Sequence, residues 1–243
     1  MQMSSFLKQF EKESTSFDKG RKYKLEVFLI YFLHLTGVFW FTTGLLGSTI
    51  YILSGPFILI SGIYAVYKLY LRSRELRKRV YSLLMSLMVV AISGLVFEYI
   101  GWTTGFPYGQ FWYTDVLQPQ ILGTPLAIGA AWMYVTVTSI AIVIGLFKSL
   151  NRLDSLKIGL LVFLSGVIAA FFDWIMEPTA VSLGFWYWGN TIPPLKNYIS
   201  WFVISSIMAF IMLKIHGLKS FDIDELRHLY LSQTIFFLLL SIL

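Results

Sequence analysis

The chain has no cysteine, which excludes disulfides and thiolate metal sites. Charge is nearly as scarce: Asp, Glu, Lys and Arg make up 13% of the residues, against 57% hydrophobic ones. A water-soluble domain needs more charge than this, and the apolar runs approach the roughly 20 residues that span a bilayer. There are three histidines and no HExxH pattern, so no metal site is expected. The first 25 residues hold neither a short apolar core nor a small-residue cleavage site, so no removable signal peptide is expected. What remains is an all-α, polytopic membrane protein, a helical bundle embedded in the cell membrane.

Seven apolar segments are expected, at roughly 26–46, 50–71, 80–100, 119–147, 157–180, 197–215 and 227–243. The fourth is long and opens around Pro119 and Pro125, which implies a tilted or kinked entry. The basic residues set the orientation. Eighteen of the 19 Lys and Arg fall in the N-terminal tail or in the 2–3, 4–5 and 6–7 connections, and Lys196 alone falls on the other side. By the positive-inside rule the N-terminus is cytoplasmic and, with seven spans, the C-terminus is outside. The net charge of +6 is therefore a topology signal, and no nucleic-acid partner is expected. Residues 1–25 form a basic cytoplasmic tail carrying Lys8, Lys12, Lys19, Arg21, Lys22 and Lys24. With Phe6, Phe10 and Phe17 interspersed, it is either a helix on the membrane surface or a solvated arm. Residues 26–243 form the membrane domain, with a motif-bearing core at 80–215.

Two stretches stand out from the apolar background. Glu98–Trp132 begins with a carboxylate at a segment end, passes through an aromatic loop rich in Gly and Pro, and re-enters an apolar segment at Pro125. Asp173–Trp201 echoes it, joining Asp173 and Glu177 to a second aromatic, Pro-containing loop. The topology puts both at the outer side, where they are expected to meet and form the working site.

Ionisable groups inside spans are costly and by default point to function. Asp173 and Glu177 are four residues apart and share a helix face. Two like charges in a poor solvent do not both ionise easily, so one is expected to hold a proton near neutral pH. Glu98 at the end of segment three, Asp115 in the first loop and Asn197 early in segment six complete the candidate catalytic set. The aromatics Trp102, Phe106, Tyr108, Phe111, Trp112, Tyr113, Trp174, Phe185, Trp186, Tyr187 and Trp188 exceed what an interfacial belt requires. Their faces are suited to lining an apolar slot and stabilising a positive charge. Together with Thr104, Pro107, Trp132 and Trp201, members of this cluster form the expected substrate-binding set. His34 reads as a hydrogen-bonded packing residue. No lysine lies in the last segment, which argues against a retinal protein, and the sparse Asp173/Glu177 pair lacks the doubled Asp-rich motifs of a prenyltransferase.

The pattern E-x-x-G-x-x-T-G-x-P-Y-G-x-F-x-Y runs from Glu98 through Thr104, Gly105, Pro107, Tyr108, Gly109 and Phe111 to Tyr113. It is followed by P-L-x-x-x-x-A-W from Pro125 to Trp132, by Glu177–Pro178, by G-F-W-Y-W at Gly184–Trp188, and by P-x-x-N-x-x-x-W at Pro194, Asn197 and Trp201. Over roughly residues 80–215 this resembles the carotenoid biosynthesis family of membrane-bound CruF-type hydratases. The chain has Glu177–Pro178 where that family is expected to have Asp-Pro, and Ser200 where it is expected to have Gly. The resemblance implies addition of water to the terminal C=C of an acyclic carotenoid end group, with monocyclic C40 carotenes or C50 precursors of bacterioruberin as substrates and no cofactor. The chemistry fits the residues. A weakly basic alkene needs a buried acid, Asp173 or Glu177, while Glu98 serves as its partner or as the base that activates water, and Asn197 orients that water. The expected partners are a carotenoid, the lipid bilayer and other carotenoid-pathway enzymes docked on the basic loops. Two alternatives stay open: an end-group cyclase or isomerase using the same protonation step, and a proton-coupled transporter.

Overall fold

The computed structural model describes the backbone of residues 2–149 and 157–243, and within these the side chains from Gly20 onward. The side chains of Lys8, Lys12, Lys19, Phe6, Phe10 and Phe17, and all of Arg152, lie outside the described residues.

Seven α-helices carry the fold: α1 (Gln2–Thr43), α2 (Thr49–Glu75), α3 (Val80–Thr104), α4 (Leu126–Ser149), α5 (Ile158–Ser182), α6 (Leu195–His216) and α7 (Asp224–Ile242). Six contain stretches long and apolar enough to cross a membrane, α1 contributing Gly20–Thr43. The exception is α7, a 19-residue helix that opens on Asp224 and Glu225. It buries Ser232, Gln233 and Thr234 and packs against α1, α4 and α5. The central helix is α4, buried along most of its length and packed on α2, α3, α5 and α7. Lipid-facing helices expose Leu, Ile and Phe, as a bundle in hydrocarbon requires.

Segment four starts later than the sequence reading placed it. Residues from Pro119 to Pro125 form a hairpin instead of helix: β2 (Gln120–Ile121) pairs with β3 (Thr124–Pro125) across Leu122 and Gly123, both at positive φ. Two consecutive left-handed residues cannot continue a helix, but they make the tight turn a two-residue hairpin needs. The helix follows at once, with the Leu126 amide donating to the Pro119 carbonyl at 2.9 Å.

The end rich in Lys and Arg is held by ions. Lys68 on α2 donates to Glu26 on α1 at 2.8 Å and to Glu225 on α7 at 2.6 Å. Asp222, in the α6–α7 connection, pairs with Lys148 at 2.8 Å and with Arg227. Burial works to raise the Asp222 carboxyl, but these two cations outweigh it and hold it below the ordinary carboxylate range. The hydroxyls of Tyr23 and Tyr31 on α1 share the two ring nitrogens of His228 on α7, at 3.1 and 3.2 Å. At the opposite end the α3–α4 and α5–α6 loops meet. There β1 (Phe111–Tyr113) pairs antiparallel with β4 (Trp186–Trp188).

Candidate active site

Side chains alternate sides along a strand, so a three-residue pairing sorts six aromatics onto two faces. The register sets Phe111 against Trp188, Trp112 against Tyr187 and Tyr113 against Trp186. Trp112 and Tyr187 stack on the outer face, ring centroids 5.3 Å apart. Phe111, Tyr113, Trp186 and Trp188 turn inward and roof a cavity of about 310 Å³. All three of Glu98, Asp173 and Glu177 line it, with Asn197 and Trp201. Among the described residues no Lys or Arg lines it.

Each carboxyl is buried and held differently. Glu98, near the end of α3, accepts the Tyr113 hydroxyl on Oε2 at 2.6 Å and the Trp132 indole N–H on Oε1 at 2.9 Å. Glu177 accepts two indole N–H groups on a single oxygen, Oε2: Trp188 at 2.9 Å and Trp186 at 3.1 Å. Asp173, one turn before Glu177 on α5, is 0% exposed. Its Oδ2 accepts Asn197 Nδ2 at 2.7 Å, and its Oδ1 is buried with no hydrogen-bond partner among the described residues. The Tyr108 hydroxyl is likewise buried without a partner. Burial, and after it the nearby Glu98 carboxyl, pushes the phenols of Tyr108 and Tyr113 well above their ordinary range, so both keep their protons, and Tyr113 donates its own to Glu98.

An aromatic floor holds this arrangement in place. Trp132 stacks on Trp201 with centroids 3.9 Å apart and planes 12° from parallel. Two glycines of α3 make the close approach possible. A Cβ on Gly94 would lie 2.6 Å from the Trp132 ring, and one on Gly101 would lie 2.5 Å from Tyr108.

The structure sorts the sequence candidates. Glu98, Asp173, Glu177 and Asn197 converge on the cavity, as do Tyr108, Phe111, Tyr113, Trp186, Trp188 and Trp201. Trp132 supports it through Glu98 and the stack. Other candidates are not brought to it. Asp115 is exposed in its loop, and Trp174 is 56% exposed on the outer face of α5. Trp102 donates to Thr124 Oγ1 at 3.0 Å, Thr104 receives the Phe106 amide, and Pro107 accepts Ser200 Oγ through its carbonyl. These three contacts organise the loops. The sequence reading missed the far wall, made by α1, α2 and α7, with Phe41, Phe57, Gln233 and Phe236. His34 does form the expected hydrogen bond, Nδ1 to the Ile30 carbonyl at 2.7 Å, but it also lines the cavity. Among the described residues no group of three His, Asp or Glu is arranged to hold a metal ion.

The profile of the family described as "Carotenoid biosynthesis protein" matches residues 54–243, from the second turn of α2 to the end of the sequence. The chain belongs to this family. A curated relative, the bisanhydrobacterioruberin hydratase of Haloarcula japonica, is 29% identical over 129 residues, which is 51% of this chain and 42% of the relative. The chain thus aligns with less than half the length of that relative. No solved structure matches. In this carotenoid biosynthesis protein the matched region contains both aromatic loops and all three cavity carboxyls, while α1 lies outside it.

Proposed function

We propose that this protein is a carotenoid hydratase, adding water across the terminal C=C of an acyclic end group to give a tertiary alcohol. One observation carries the reading: three carboxyls share one apolar cavity with, among the described residues, no Lys or Arg on its walls. An alkene is protonated only by an acid that keeps its proton next to an apolar substrate, and this cavity offers such a place. Asp173 is the acid. Its unpartnered Oδ1 carries the proton, and Asn197 fixes the other oxygen. The proton goes to the less substituted alkene carbon and the π pair forms the new C–H bond, leaving a tertiary cation. The anionic carboxylate of Glu98 and the faces of Trp188 and Trp201 stabilise that charge. Glu177, whose Oε2 takes both indole N–H groups, accepts a proton from water through Oε1 as the water oxygen bonds to the cation. Return of that proton to Asp173 closes the cycle. The sum is alkene plus water, with no redox change and no cofactor. The hydratase name of the Haloarcula japonica relative supports the same reading.

The test is pigment analysis. The chain is expressed in cells that accumulate lycopene or an acyclic C50 carotene, and extracts are run by chromatography with mass spectrometry. The expected product is heavier by one or two waters, and Asp173→Asn abolishes it while the protein still accumulates in membranes. Full activity in Asp173→Asn would remove Asp173 as the acid. A product of unchanged mass with an altered spectrum would replace hydration with end-group cyclisation.

A further inference from the structure

The cavity is far smaller than its proposed substrate. At about 310 Å³ it lies at the low end of small-molecule pockets, with room for a branched end group but not for a forty-carbon polyene. The rest of the chain must leave the protein somewhere, and the walls show where. Most lining residues are buried or half-buried, but two line the cavity and are also about half exposed: Leu33 on α1, at 51%, and Leu53 on α2, at 47%. They belong to consecutive helices whose backbones nonetheless stay apart. Among the described residues α1 packs on α7, while α2 packs on α4. What links α1 to α2 is the short connection at one end, the Lys68–Glu26 ion pair at the other, and two edge-on aromatic contacts between them, His34 on Phe57 with centroids 5.0 Å apart and Phe41 on Tyr51 at 5.6 Å. Between these ties the gap is walled by apolar side chains, Trp40 and Phe41 on one side and Ile50 and Phe57 on the other. Among the described residues the polar side chains that α1 and α2 give to the cavity are His34, Thr36 and Ser54.

We propose that the gap between α1 and α2 is a lateral portal to the bilayer, through which the polyene runs while only its end group occupies the carboxyl-lined cavity. This rests on the hydratase reading for the identity of the occupant. The end group enters sideways from the lipid, the conjugated chain stays in hydrocarbon along Leu33 and Leu53, and the aromatic roof need not open. Both mouth residues, Leu33 on α1 and Leu53 on α2, precede residue 54, where the match to the family begins, while Ser54 and Phe57 behind them lie within it. Chain length is then sensed at the mouth and end-group chemistry in the depth.

The experiment narrows the mouth with Leu33→Trp and, separately, Leu53→Trp, both at positions already facing lipid. Membranes carrying each variant are given a full-length acyclic carotene or a short acyclic terpene with the same end group. The expected result is a drop of tenfold or more in kcat/KM for the carotene, with the short substrate within twofold of the parent protein. Equal loss on both substrates, or no loss on either, would overturn the portal. Failure of the parent protein to hydrate either substrate would instead count against the hydratase reading. As a second readout, a photo-crosslinking phenylalanine analogue at Leu33 or Leu53 is expected to capture the carotene in membranes. The same probe at Trp174, exposed to lipid on α5, is expected not to, and equal capture at both places would refute the portal.

Discussion

Gly94→Ala is the sharpest test of how the site is built, because two effects of known sign oppose each other. Helix propensity alone favours Ala over Gly by about 1 kcal/mol. Packing says the reverse. The new Cβ would lie 2.6–2.7 Å from Cγ, Cβ and Cδ1 of Trp132. Carbon atoms prefer about 3.5–4.0 Å, so the indole must retreat by roughly 1 Å. It has little room to do so, being wholly buried and stacked 3.9 Å from Trp201. Overpacking of this kind costs about 1–3 kcal/mol. A 1 Å retreat also stretches the 2.9 Å bond from Trp132 to Glu98 beyond hydrogen-bond range. That leaves a buried carboxyl oxygen short of a donor, at a further cost of about 1–3 kcal/mol. The net expectation is a loss of about 2–3 kcal/mol, hence a melting temperature lower by roughly 5–10 °C in detergent. Hydration falls on the order of 100-fold, since misplacing a catalytic group by about 1 Å costs that much. Gly159→Ala is the control: it lies on α5 with nothing within 4 Å of the added Cβ, and it should be neutral or slightly stabilising. A Gly94→Ala protein that melts higher than its parent and keeps its activity would refute the packing argument.

Trp188→Phe keeps the ring but removes one of the two N–H donors on Glu177 Oε2; turnover should fall about tenfold, and further when Trp186→Phe is added, as measured by pigment conversion. Lys68→Met strands Glu26 and Glu225 and should cost about 3 kcal/mol in thermal stability, most of it recovered when both glutamates are changed to Gln. Asp222, held below the ordinary carboxylate range in the fold, contributes stability that is complete above about pH 4 and lost as pH falls through its lowered value. Melting curves of Asp222→Asn should therefore lack that acid limb, and an unchanged limb would show that the pairs with Lys148 and Arg227 do not carry it.

The helices were legible because a bilayer forces long apolar runs and the basic residues mark the connections between them. The three carboxyls were legible because a charge inside a span has few reasons to be there. What sequence could not give was the partner of each group. Nothing in Trp186, Tyr187 and Trp188 says that alternate residues hold one carboxylate until the pairing with Phe111–Tyr113 fixes which face turns inward. Asp115 and Trp174 carried the same chemical signals as Asp173 and Trp188, and only burial separates them. The start of α4 was misplaced because the apolar run was carried back over residues 119–125, whose two prolines and Gly123 suit a turn, and the pairing across Leu122 and Gly123 is a matter of backbone angles. Helices α1, α2 and α7 gave no hint of lining the cavity. Their contributions, Phe41, Phe57 and Phe236 among them, are what any lipid-embedded helix contains.

All three carboxyls lie in the halves of α3 and α5 nearest the aromatic loops, so the cavity belongs to one side of the membrane. On the proposed reading this governs the order of events on a substrate with two equivalent ends. A polyene threaded across a hydrocarbon layer about 30 Å thick presents one end to these carboxyls and keeps the other beyond their reach. Once hydrated, the first end gains a hydroxyl that prefers the interface and resists being drawn back through the lipid. Doubly hydrated pigment then requires release, inversion of the whole molecule and a second visit. The singly hydrated form should build up first, and the ratio of the two should track how fast the pigment turns over in the membrane, not how fast the enzyme works.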